Sequence, residues 1–174
     1  MSYAHKDMKL ARALRDALQE LLQCSKHYAF EGWDDAQLRA GERWFDSIQG
    51  QLEAADLGLL MLSPSFLASR FIAEHELPAF VAGTRSELVG KRVVPVALRK
   101  LDLHNTNLRG LEAHQIFGCG EHGPFPQRSG PRRDVWVDAL AGQIHGLLRR
   151  YAVASEETEP ASTDAHTPNE DEGE

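Results

Sequence analysis

The chain has 174 residues, enough for one domain with its own core and, beyond it, a tail. Its 42% hydrophobic and 26% charged residues are ordinary for a globular protein. No apolar run approaches the roughly 20 residues that cross a bilayer, and Met1–Asp7 has no signal-peptide core. Two cysteines, Cys24 and Cys119, exclude a disulfide-rich scaffold and fit a reducing cytoplasm. Eight of the 26 acids fall in residues 155–174, which hold no Lys or Arg. The preceding 154 residues therefore carry 19 basic and 18 acidic groups, without the basic face that a nucleic-acid binder needs. Arg128, Arg132 and Arg133 form a local basic cluster that reads as a solvated loop.

Residues 7–23 are expected to form an amphipathic helix, with Leu10, Leu14, Leu18, Leu21 and Leu22 at spacings of three and four. Tyr28–Trp33 is a short strand candidate. Asp34–Gly41 is polar and ends in Gly, so it reads as a loop. Helical spacing resumes over 42–54 through Trp44, Phe45, Ile48 and Leu52. Leu57–Leu62 is a continuous apolar run of the kind found in a strand buried on both faces. Ser65–Ala82 is expected to be helical with a break at Pro78. Arg92–Leu98 is the next strand, in which Pro95 cannot donate to a ladder. The stretch 101–133 is irregular, with His114–Phe117 a candidate edge strand. Residues 134–151 read as a last amphipathic helix. Residues 152–174 lack the apolar side chains to offset ordering entropy and are expected to be disordered.

Strands alternating with helices indicate an α/β domain whose parallel sheet is covered on both faces. Ligands of such sheets sit beyond the carboxyl ends of the strands, which points to Ser2–Ala4, Asp34–Gly41 and Ser63–Ser69. Several sharper alternatives lack their residues. There is no GxGxxG, GxxxxGK[ST] or GxSxG. Cys119, Glu121 and His122 have no second pair at zinc spacing, so no metal is expected. A phospho-receiver domain would want an acid ending the third strand, where this chain has Leu62-Ser63-Pro64.

Six segments in order resemble a bacterial Toll/interleukin-receptor (TIR) domain over residues 1–151. Ser2-Tyr3-Ala4-His5-Lys6-Asp7 is similar to the family's first box. Asp35–Leu38, Gly41 and Trp44 are similar to its second box and BB loop. Leu60–Ser69 resembles strand C running into the next helix, and Glu76-Leu77-Pro78 the Glu-Leu of that helix. Val93–Val96 resembles strand D, and Asp134-Val135-Trp136 the start of the last helix. The resemblance implies a flavodoxin-like three-layer order with the first strand in the middle of the sheet. The family has apolar residues before Ser-Tyr-Ala, whereas Met1 begins this chain, so the first strand is expected to be largely missing, as after a misplaced start codon or a gene truncation. Two to four absent apolar side chains would remove about 3–12 kcal/mol, against a typical stability of about 5–15 kcal/mol.

The resemblance also implies an activity: cleavage of the nicotinamide–ribose bond of NAD, with NAD as substrate and no further cofactor. That chemistry passes through an oxocarbenium-like centre, which a carboxylate stabilises. Glu76 takes that role by resemblance, although an acid beside Glu74 also reads simply as a solvated helix residue. Glu74 is the alternative carboxylate, and His75 reads as a surface residue. Ser2, Tyr3 and Ala4 resemble the loop near the nicotinamide-side ribose. Trp33, Asp35, Leu38 and Gly41 resemble the BB-loop region, which gates the site and makes contacts with other TIR domains. Many active members carry Trp at the position of Ile72. Phe71 is then either a substitute stacking surface or a core residue. Ser63, at the same strand end, is counted with the residues that the resemblance places around NAD; Ser63 and Ser69 are also placed to cap the helix they precede, and capping is the role read for Ser69. Two functions follow: an NAD-cleaving effector in signalling or defence, active after self-association, or a non-catalytic TIR–TIR interaction module. Neither calls for nucleic acid or membrane.

Overall fold

The computed structural model describes residues 1–32, 50, 54–81 and 92–156. The labels below number the elements within those residues. Strand β1 (Ser2–Tyr3) leads through a 3-10 turn at His5–Asp7 into helix α1 (Met8–Gln23). Strand β2 (Leu57–Leu62) is followed by the short helix α2 (Pro64–Ala68). A π-helical turn at Ile72–Glu76 runs directly into helix α3 (Leu77–Val81). Strand β3 (Arg92–Ala97), a 3-10 turn at Leu111–Ala113 and the long helix α4 (Pro131–Glu156) complete the set.

The three strands form a parallel sheet in the order β1-β2-β3, so among the described residues β1 lies at an edge and not in the middle, where the resemblance puts it. β3 pairs with β2 along its whole length, from Leu57↔Arg92 to Leu62↔Ala97, whereas β1 meets it only at Leu60 and Met61. β1 is two residues long.

Side-chain alternation in β2 explains its unbroken apolar run. Leu59 and Met61 face one layer, packed with Leu14, Leu18 and Leu22 of α1 and with Trp136, Leu140 and Ile144 of α4. Leu60 and Leu62 face the other, packed with Phe66, Ile72, Leu77 and Phe80. A central parallel strand with both faces covered has no polar side to show, and each fully buried Leu contributes roughly 1.5–3 kcal/mol. The molecule is thus a three-layer α/β domain of flavodoxin-like type. Gly58 gives the second layer its close seat, because a Cβ there would stand 2.3 Å from the ring of Phe80.

Pro95 sits within β3 without breaking it. Its carbonyl accepts from the Phe117 N–H at 2.9 Å, on the side away from β2. The missing donor therefore falls where the strand has only an isolated bridge, Val96↔Phe117, and not a full neighbour. That bridge is what remains of the edge strand expected at His114–Phe117.

Three expectations need correction. Tyr28–Gly32 is irregular and not a strand, because the rings of Tyr28 and Phe30 turn onto His145 of α4. The helix after β2 breaks at Ser69, which is extended (φ −72, ψ 119), and not at Pro78. Pro78 has no N–H to give the Glu74 carbonyl, and the turn before it widens so that the Leu77 N–H reaches back to Ile72. α4 starts three residues before 134 and runs five past 151, so residues 152–156 are helical and not disordered. The loop at 34–41, most of the helix at 42–54 and the acidic segment 157–174 lie outside the described residues.

Candidate functional site

β1 ends against the π turn. There the Ser2 hydroxyl donates to Glu76 Oε2, which joins the first residues of the chain to a residue 74 positions later. Ser2 is buried at 6% exposure and Glu76 is half-buried. Both line a cavity of about 1440 Å³, which also has Tyr3, Ala4, Ser69, Phe71 and Ile72 on its wall. Its volume exceeds the roughly 300–1,000 Å³ of ordinary small-molecule sites.

The winding of the segment selects the acid. α2 is capped by Ser63, whose Oγ accepts from the Phe66 N–H at 3.0 Å. The next helical stretch is started in the same way by Ser69, which accepts from the Ile72 N–H at 3.3 Å. The π turn then places Glu76 on the cavity wall, while Glu74 is exposed and pairs with Arg70 at 3.6 Å. Between the two acids, His75 lies off the cavity wall with its ring 5.0 Å from that of Phe71. Ile72 is 3% exposed and Phe71 half-buried, so Ile72 floors the wall and Phe71 presents a ring to it.

The structure therefore gathers Ser2, Tyr3, Ala4, Phe71, Ile72 and Glu76 around one space. Ser63 is not part of it. Its hydroxyl, fully buried, donates to Asp7 Oδ2 at 2.5 Å. Trp33, Asp35, Leu38 and Gly41 lie outside the described residues. Among the described residues no group of three or more His, Cys, Asp or Glu is placed to hold a metal ion, and no helix is long and apolar enough to cross a membrane.

Sequence reasoning gave no role to Asp7 and Arg99. Asp7 is 2% exposed, and its second oxygen accepts from Arg99 Nε at 2.5 Å. Asp7 follows β1, Ser63 follows β2 and Arg99 follows β3, so one carboxylate ties together the ends of all three strands. An acid placed after one strand and an arginine after another is a weak signal by itself. It gains meaning only once the strands are known to be parallel, because their carboxyl ends then meet.

The comparisons with known proteins agree with this architecture. Residues 1–123 match the TIR domain family. The chain belongs to that family. An uncharacterized protein, y4lF, of Sinorhizobium fredii is similar to it, 31% identical over 113 residues. That overlap takes in 64% of this chain and 33% of the relative, so the TIR chain corresponds to about a third of that protein. No solved structure matches.

Proposed function

We propose that this TIR domain cleaves NAD at the nicotinamide–ribose bond, by hydrolysis or cyclisation, with Glu76 as the catalytic carboxylate. The observation that carries the reading is the position of Glu76. It is the acid that the π turn aims into a cavity of about 1440 Å³, beside the first residues of the chain. In the reaction the C1′–N bond breaks and its electron pair leaves with neutral nicotinamide, so no strong general acid is needed. Positive charge develops on the ribose, and a carboxylate at that point stabilises it electrostatically. Water, or a ring nitrogen of the adenine, then supplies the electron pair to C1′. Ser2, hydrogen-bonded to Glu76, holds the carboxylate in one rotamer and positions it for this work. The activity would serve signalling or defence and depend on assembly with other TIR domains.

The test is to incubate the purified, assembled protein with NAD and follow nicotinamide release. Release that is lost in Glu76→Gln, with the thermal midpoint unchanged, supports the reading. A folded, assembled protein that releases nothing refutes it. One observation favours the second reading, a non-catalytic TIR–TIR module. Ile72, not an aromatic residue, floors the cavity wall one turn before Glu76, which leaves Phe71 as the stacking surface.

A further inference from the structure

A second concavity, of about 720 Å³, opens where the start of α1, the residues after β3 and the segment before α4 meet. Five cations stand on its wall: Lys6, Lys9, Arg99, Arg128 and Arg133. Its acid, Asp7, is already committed to Ser63 and Arg99. In a chain of net charge −7, that is a concentrated positive field within one hollow.

Two of the cations are fixed in place. Arg99 is gripped at Nε by the buried Asp7, and its side chain is 43% exposed. A guanidinium has five N–H donors, so the Nη edge still has donors to offer a ligand. Arg133 is held by the carbonyls of Pro126 and Gln127, with its guanidinium over the ring of Phe125. Lys6, Lys9 and Arg128 are exposed and make no salt bridge among the described residues. Leu10 and Ala13 add an apolar strip to the same wall.

We propose that this concavity binds a small compound carrying a diphosphate or triphosphate group. Cations arriving from three segments suit several negative charges spread over one ligand better than a lone carboxylate. A planar guanidinium set at one edge by a buried acid is a pre-organised partner for phosphate oxygens. The volume is that of an ordinary small-molecule site. The inference does not depend on NAD cleavage, because Glu76 is not part of this wall.

Calorimetric titration of the full chain with inorganic pyrophosphate and tripolyphosphate tests it. Tripolyphosphate is expected to bind more tightly than pyrophosphate, with both weakening about tenfold or more between low and physiological salt. The exposed pair Lys9→Gln with Arg128→Gln is expected to weaken tripolyphosphate binding at least about tenfold, at about 1.4 kcal/mol per decade. Arg12→Gln with Arg150→Gln removes the same charge outside the hollow and is expected to leave binding within about twofold, a shift below about 0.5 kcal/mol. Glu76→Gln is expected to bind like the parent. Absence of binding, or equal loss in the two double variants, overturns the proposal.

Discussion

Two serine–carboxylate pairs, Ser63–Asp7 and Ser2–Glu76, share their chemistry and differ in their surroundings. Ser63 and Asp7 are both buried, a guanidinium completes the set, and the bonds join the carboxyl ends of three strands. Ser2–Glu76 is half-buried and borders a large cavity. A carboxylate enclosed in the protein and satisfied there holds the fold. Glu76 keeps its bond from Ser2 and has open space beside it. The difference teaches that partner type alone does not describe an acid's setting: burial and adjoining volume set Asp7 apart from Glu76, the carboxylate proposed to act on NAD.

The contrast can be broken most sharply by exchanging the losses. Glu76→Ala is expected to reduce nicotinamide release by about 100-fold or more, the scale set by removing one electrostatic contact to a transition state. Its thermal midpoint should stay within about 2 °C, since a half-exposed acid holds little of the core. Asp7→Ala is expected to do the opposite. It leaves the buried Ser63 hydroxyl and the Arg99 guanidinium without their acceptor and should cost about 3 kcal/mol, or roughly 6–12 °C in a chain of this size. A loss of activity without a shift in midpoint for Asp7→Ala would reverse the assignment.

A third change probes the seat between the two regions. Gly58→Ala places a methyl group against the Phe80 ring and should cost about 1–3 kcal/mol in denaturant unfolding, with an unchanged m-value. Phe80 also lines the Glu76 cavity, so a fall in nicotinamide release should accompany that loss. The smallest effect concerns Cys119. Burial pushes its thiol pKa above the ordinary value, so its thiolate fraction at neutral pH is lowered. Its alkylation should be slow at pH 7, rise only at higher pH, and become fast on unfolding, as followed by mass spectrometry.

Much of the architecture was legible because it rests on long-range apolar patterning. Leu57–Leu62 suited a strand buried on both faces, and of the apolar stripe read for the first helix Leu14, Leu18 and Leu22 are buried while Leu21 is exposed. What escaped depends on geometry that a linear pattern does not carry. The break at Ser69 arises because its hydroxyl starts a new helix, and a serine in that position is equally compatible with a continuous one. Tyr28–Phe30 alternates like a strand, yet its rings have a better partner in His145, more than 100 residues away. Glu76, Ser2 and Ala4 were named as site residues through family resemblance, and the cavity unites them. The Asp7–Arg99 contact joins residues 92 positions apart and became visible only with the sheet.

The wide turn at Ile72–Glu76 also affects how relatives should be compared with this chain. In this turn Glu76 stands on the cavity wall while Glu74 is exposed and pairs with Arg70, so the two acids do not serve the same cleft. Removing the local unwinding would rotate every later side chain out of phase with the first strand. An acid aligned with Glu76 by position, in a relative wound without this bulge, would point elsewhere. Equivalence here is angular, and matching letters in a column does not establish it.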